Sequence, residues 1–170
     1  MMRGELPAAC ATILVLLTAT GCEETRTPGG PTPVSVVRTG GMARAPSQAG
    51  RVVVAGADAT LGDDDFVLNS ATITGDTLTV SVSYSGGCKT HVFTLVIAAS
   101  FVESTPVRLP VVLRHDANGD RCEAFPTESY TFDLALVRAR YREVYGPGAG
   151  RVTLQLDGVP EDSLVYEFAA

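Results

Sequence analysis

After Arg51 apolar and polar residues alternate with a period of two, and Gly, Asp, Asn and Pro interrupt the alternation at short intervals. That combination marks an all-β sandwich or barrel. Leu78, Val80, Val82 and Tyr84 alternate with Thr79, Ser81 and Ser83, which predicts a strand with one buried face. Just before it, Gly75-Asp76 makes a two-residue hairpin loop whose register sets Ile73 against Leu78 and Thr72 against Thr79. His91, Phe93, Leu95 and Ile97 form a second inner face; Val92 and Val96 make that strand apolar on both sides and place it centrally in its sheet. Val152, Leu154 and Leu156 repeat the pattern, as do Leu164, Tyr166 and Phe168, so the chain ends on a strand. One segment departs to helical spacing: Leu134, Val137, Tyr141, Val144 and Tyr145 share a face, with Asp133 as N-cap and Gly146-Pro147 as the stop. The expected fold is mainly β, an antiparallel sandwich or partly open barrel of about seven to nine strands, with one short helix near residues 134–145.

The N-terminal third follows a different rule. Met1-Met2-Arg3 precedes an apolar run from Ala8 to Leu17, too short to span a bilayer and followed by small residues and a cysteine, the layout of an export signal. The stretch Leu14-Val15-Leu16-Leu17-Thr18-Ala19-Thr20-Gly21-Cys22 resembles the lipobox of bacterial lipoproteins. The resemblance implies that residues 1–21 are removed, that Cys22 is lipidated, and that the protein is held on a membrane of the bacterial cell envelope, with the outer membrane as the expected one. Cleavage without lipid, giving a secreted protein, is the alternative. Residues 22–50, rich in Pro, Gly and Thr, bury too little apolar surface to offset their ordering entropy and read as an extended tether, with Val34 to Val37 as a possible edge strand. Residues 51–170 then form a single domain.

Composition narrows the function classes. The net charge is −6 and lysine occurs once, at Lys89, so the basic face of a nucleic-acid binder is missing. Catalytic signatures such as a Gly-x-Ser-x-Gly elbow or a His-Glu-x-x-His helix are absent too. Arg138 and Arg142, one turn apart on the helix, could meet an anion such as a lipid phosphate, but a solvated face accounts for them as well. The run Asp63-Asp64-Asp65 reads as an exposed turn, with cation binding as the alternative.

The densest candidate chemistry lies between Val111 and Ala124. Asp116, Asn118 and Asp120 offer oxygens at alternate positions, as at the start of a calcium loop, yet Arg121 stands where that loop needs glycine and Thr127 where it needs its final carboxylate. The competing reading is a hairpin turning on Asn118-Gly119, with Asp116 opposite Arg121, Arg114 opposite Glu123, and His115 beside Cys122 on the other face. Cys88 and Cys122 are the cysteines of the exported domain, and oxidation in the envelope favours a disulfide between them, worth ~3.5 to 4 kcal/mol in loop entropy. The alternative is a zinc or copper site built from Cys88, His91, His115 and Cys122. A third possibility makes a free cysteine with one of these histidines an enzymatic nucleophile and base.

The segment Tyr84-Ser85-Gly86-Gly87-Cys88-Lys89-Thr90-His91-Val92-Phe93-Thr94-Leu95, with His115-Asp116 and Cys122 after it, resembles the NigD-like small bacterial lipoproteins, whose β-sandwich carries a similar Gly-Gly-Cys-x-x-His segment. The resemblance covers residues 70 to 125. It implies an envelope location and a β-sandwich and brings no reaction with it. Together these readings describe a tethered, non-catalytic binding or assembly module that needs no cofactor, with an unidentified envelope protein or ligand as its partner.

Overall fold

The structure, a computed structural model, describes residues 46–56 and 61–170. The segment expected to be an export signal, Cys22 and Val34 to Val37 lie outside the described residues. The chain forms β1 (Gln48–Ala49), β2 (Arg51–Val54), β3 (Val67–Thr74), β4 (Thr77–Ser83), β5 (Val92–Ile97), β6 (Val107–Asp116), β7 (Thr127–Asp133), α1 (Ala135–Tyr145), β8 (Gly150–Leu156) and β9 (Val165–Phe168). These strands make two sheets, one ordered β1-β7-β4-β3 and the other β2-β5-β6-β8-β9.

The inner faces meet in one core. Leu78, Val80, Val82 and Phe132 from the first sheet are fully enclosed against Leu95, Ile97, Val152 and Tyr166 from the second. Each such side chain contributes about 1.5 to 3 kcal/mol of burial, so the period-two pattern is the main force behind the sandwich. The β3–β4 hairpin takes the expected register, with Ile73 opposite Leu78 and Thr72 opposite Thr79. β5 lies between β2 and β6, as its two apolar faces require.

The sheets are mixed but mainly antiparallel: β3–β4, β4–β7, β5–β6 and β8–β9 are antiparallel, whereas β1 runs parallel to β7, β2 to β5 and β6 to β8. Two features differ from the expectation. Gln48 and Ala49, assigned from sequence to the tether, add a short strand beside Tyr130 and Thr131. The second difference is the hairpin at Asn118-Gly119. The turn itself forms: Asn118 and Gly119 have φ of 52° and 62°, and the Asp120 amide donates to the Ala117 carbonyl at 2.9 Å, the pattern of a type I′ turn. The chain beyond it nevertheless leaves β6 and crosses to the other sheet. The edge of β6 that residues 121–125 would have needed is occupied, since the Asp64 amide donates to the His115 carbonyl at 3.0 Å. Arg114 consequently pairs with Asp63, not Glu123.

Helix α1 joins β7 to β8 at the end of the sandwich that carries the β3–β4 turn. Leu134 occupies the N-cap position, one residue later than expected, and the carboxylate of Asp133 before it accepts the Ala135 amide at 2.8 Å. Leu134 and Val137 are buried, whereas Val144 and Tyr145 at the far end of the same face are 57 % and 38 % exposed. Arg138 pairs with Asp76, and Arg142 donates to the Ala169 carbonyl, so the two arginines brace the helix against its neighbours.

Candidate functional site

At the opposite end of the sandwich two connections cross between the sheets, one joining β4 to β5 and the other β6 to β7. Cys88 on the first and Cys122 on the second are joined by a disulfide, with Cα atoms 6.0 Å apart. The predicted pairing is therefore present, and it ties the two crossovers together. With both sulfurs committed to each other, neither cysteine offers a thiolate. The Cys88, His91, His115, Cys122 metal set is not formed in this state, and neither is a nucleophilic cysteine.

The same two crossovers are joined a second time through Asp120. One of its carboxylate oxygens accepts the backbone amides of Gly87, Cys88 and Lys89 at 2.9, 2.8 and 2.9 Å, and the other accepts the Cys122 amide at 3.0 Å. Gly86 makes this possible. It sits at φ +145°, and a Cβ there would fall 2.6 Å from the His91 ring and 3.0 Å from the Asp120 carboxylate. The amide of Cys122 foremost, with those of Lys89 and Cys88 and the His91 ring, holds the Asp120 carboxyl well below the usual carboxylate range. Lys89 adds a further tie by donating to the carbonyls of Asn118 and Gly119 at 2.8 and 3.0 Å.

The oxygens of the alternative cation loop, Asp116, Asn118 and Asp120, do not converge. Asp116 accepts the Asn118 amide, Asn118 donates its side-chain amide to the Thr90 carbonyl, and Asp120 turns toward the other crossover. Three oxygens that look convergent in sequence thus face three different partners. Two carboxylates of the acidic run are also committed, Asp63 on Arg114 and Asp64 on the Ala117 amide at 2.7 Å.

Beneath the disulfide lies a row of enclosed polar rings. His91 and His115 are 3 % and 1 % exposed. His91 Nε2 is 3.2 Å from Asp120, His91 Nδ1 is 2.8 Å from His115 Nε2, and His115 Nδ1 lies 3.3 and 3.2 Å from the carbonyls of Asp64 and Asp65. Burial pulls the His115 imidazole below its ordinary range, and the neighbouring His91 acts in the same direction. Phe93 stacks on His115 with ring centroids 4.3 Å apart.

One cluster was read from the sequence only through Tyr84, as an inward-facing position. Glu128 accepts the hydroxyls of Tyr84 and Tyr130 at 2.6 and 2.9 Å and the Gln48 side-chain amide at 2.7 Å. Burial first, and then the Glu128 carboxylate, push the Tyr84 hydroxyl up to about 12. A cleft of about 500 Å³ opens beside this cluster, lined in part by Arg51, Thr90, Arg114 and Asp116. The His91 side chain on its wall is itself 0 % exposed.

The residues flanking Phe125 are tied by backbone hydrogen bonds to the crossover that carries His91. The Gly86 amide donates to the Ala124 carbonyl at 2.9 Å, and the Tyr84 amide donates to the Pro126 carbonyl at 3.4 Å. Phe125, between these two anchored residues, is 64 % exposed.

No protein-family model and no curated protein matches the chain. Solved structures do. The chain shares its fold with a NigD-like immunity protein from Bacteroides caccae. The TM-score is 0.51 at 22 % identity, over 72 % of this chain and 60 % of that one. The chain therefore spans less than two thirds of that relative. Further similar structures are a candidate lipoprotein from Bacteroides fragilis, with TM-score 0.44 and 14 % identity over 72 % of this chain and 70 % of that one, and a protein of unknown function from Bacteroides vulgatus, with TM-score 0.42 and 15 % identity over 74 % and 57 %. The first likeness agrees with the resemblance carried by the Gly86-Gly87-Cys88 segment and with the mainly β fold read from the sequence.

Proposed function

We propose that this protein is a non-catalytic binding module of the bacterial cell envelope, lipid-anchored through Cys22 at the outer membrane, and that it recognises an envelope protein through the stapled end of its sandwich. The observation that carries the reading is Phe125. A lone exposed apolar residue is ordinary on a protein surface. Here, however, backbone hydrogen bonds fix the residues on both sides, and a disulfide, the Asp120 carboxylate and the Lys89 ammonium fix the loops beneath. A large side chain projecting from a rigid platform loses little entropy on being covered, which is the character of an interface anchor. The enclosure of both imidazoles and the bonding of both sulfurs support a role without catalysis, because a base and a nucleophile have to reach substrate.

A photo-crosslinking phenylalanine analogue placed at position 125 in cells tests the reading. We expect a discrete protein adduct from position 125 and none from the same probe at Val67, an exposed residue on β3. Equal adducts from both positions, or none from 125, would overturn it.

A further inference from the structure

We infer that the outer edge of β3 is a dimerisation surface, and that its occupant is β3 of a second copy of this chain, antiparallel about a two-fold axis at Thr72. The two sheets end on β1 and β3 in one and on β2 and β9 in the other. Three of these edges are guarded against a further strand. β1 has only two residues, and β2 and β9 have four each and carry Arg51 and Glu167. β3 differs. It runs for eight residues, Val67 to Thr74, without a charge or a proline, and among the described residues no strand pairs with its outer edge. The bulge at Asn69 interrupts only its first part and leaves Ser70 to Thr74 in regular register with β4. A strand edge that lacks charge and proline is a template for another strand.

The edge is complementary to itself, which is what a two-fold contact requires. Thr74 and Thr77 flank the two-residue loop Gly75-Asp76 and so form a hydrogen-bonded pair. By alternation Thr72 turns its backbone groups toward β4, while Ala71 and Ile73 turn theirs outward. With two antiparallel copies centred on Thr72, Ala71 of one chain meets Ile73 of the other, and each such pair exchanges both of its backbone hydrogen bonds. The side chains match in the same register. On the exposed face Thr72 meets Thr72 and Ser70 meets Thr74, hydroxyl pairs that are favourable cross-strand neighbours. On the inner face the small Ala71 faces the large Ile73, both of them half-buried at the flank of the core. A cleft of about 260 Å³, bounded in part by Leu68, Ala71, Val159 and Pro160, leaves room beside Ala71 for the incoming Ile73. Charge does not oppose the approach. β4 behind the edge carries none, and Asp76 at the turn is held by Arg138 and Tyr166. Val67 lies about 10 Å past the last pair, beyond the bulge, and stays outside the contact. The inference rests on β3 and stands whether or not Phe125 is a recognition residue.

Sedimentation equilibrium of the purified full chain between roughly 1 and 100 μM tests the inference. The mass is expected to rise toward twice that of one chain. Thr72→Lys sets two ammonium groups against each other at the axis and should weaken association at least about tenfold; Thr72→Glu repeats the test with the opposite charge, and melting curves report whether each variant folds. Phe125→Ser should leave the dimer unchanged. A wild-type protein that stays monomeric throughout, or a dimer that tolerates both charges at position 72, would overturn the proposal. A dimer lost with Phe125→Ser would also overturn it, by moving the contact to the stapled end. In cells, a photo-crosslinking phenylalanine analogue at position 72 should give an adduct of twice the mass of the chain, and an adduct of any other mass, or none, would rule out the second copy as the occupant.

Discussion

Tyr84 lies nearly flat on His91, with ring centroids 4.1 Å apart and planes inclined by 23°. Its hydroxyl reaches away from that stack to Glu128 at 2.6 Å. One tyrosine thus links a buried imidazole to a carboxylate on the opposite sheet.

Glu128→Ala is expected to destabilise the protein more than Tyr84→Phe does. Removing the carboxylate strands the hydroxyls of Tyr84 and Tyr130, residues that are only 3 % and 2 % exposed. Each stranded group costs about 1 to 3 kcal/mol, whereas losing one hydroxyl from an acceptor that keeps other donors costs about 1 kcal/mol. Urea denaturation of the two variants checks the order; equal losses would count against a shared acceptor.

Replacing Cys88 and Cys122 together by serine should lower stability by ~3.5 to 4 kcal/mol at most, from the loop entropy of a 34-residue separation. Asp120 and Lys89 still bind the same crossovers, so the fold is expected to survive. Calorimetry with and without reductant reads the effect: reductant should lower the melting temperature of the parent and leave the double variant unchanged.

Acid should weaken the protein through Asp120. Its native carboxyl titrates below the usual range, chiefly because of the Cys122 amide. The unfolded carboxyl, at about 3.9, takes up its proton first as pH falls. Between those two values the unfolded state binds more protons, so this contribution to stability is complete above about pH 4 and declines below it. The stability gap between wild type and Asp120→Asn should accordingly be open near neutral pH and narrow in acid, as denaturant titrations at a series of pH values would show.

Cys22→Ser should release the protein from the membrane fraction of its host cell. Retention of the variant in the membrane pellet, measured by fractionation and immunoblot, would contradict the lipid anchor.

The sandwich was legible because period-two burial leaves its mark at every strand, down to the register of Ile73 with Leu78 and the central place of β5. Cys88 and Cys122 were legible because an oxidising compartment restricts what two cysteines do. Turn chemistry at Asn118-Gly119 was legible as well, but a turn does not dictate the path of the chain beyond it. The strand edge beside His115 had been claimed by Asp64, a contact between residues about fifty positions apart that no local pattern encodes. The same holds for Asp120. Its neighbours suggested a cation, whereas its partners are backbone amides of a distant glycine-rich segment. Tyr84 was legible as an inward-facing position, but Glu128 and Tyr130 left no signal, since polar residues on a strand look like solvent-facing positions until the fold closes over them.

The bond between Cys88 and Cys122 also makes the stretch between them a covalent ring that contains the whole of β5 and β6. A protease that cuts once anywhere inside that ring divides the backbone without producing two separable molecules. The nicked protein would keep its mass apart from one added water until a reductant was supplied. The two strands carrying His91 and His115 at their ends are thus protected against loss by a route independent of how tightly the core is packed.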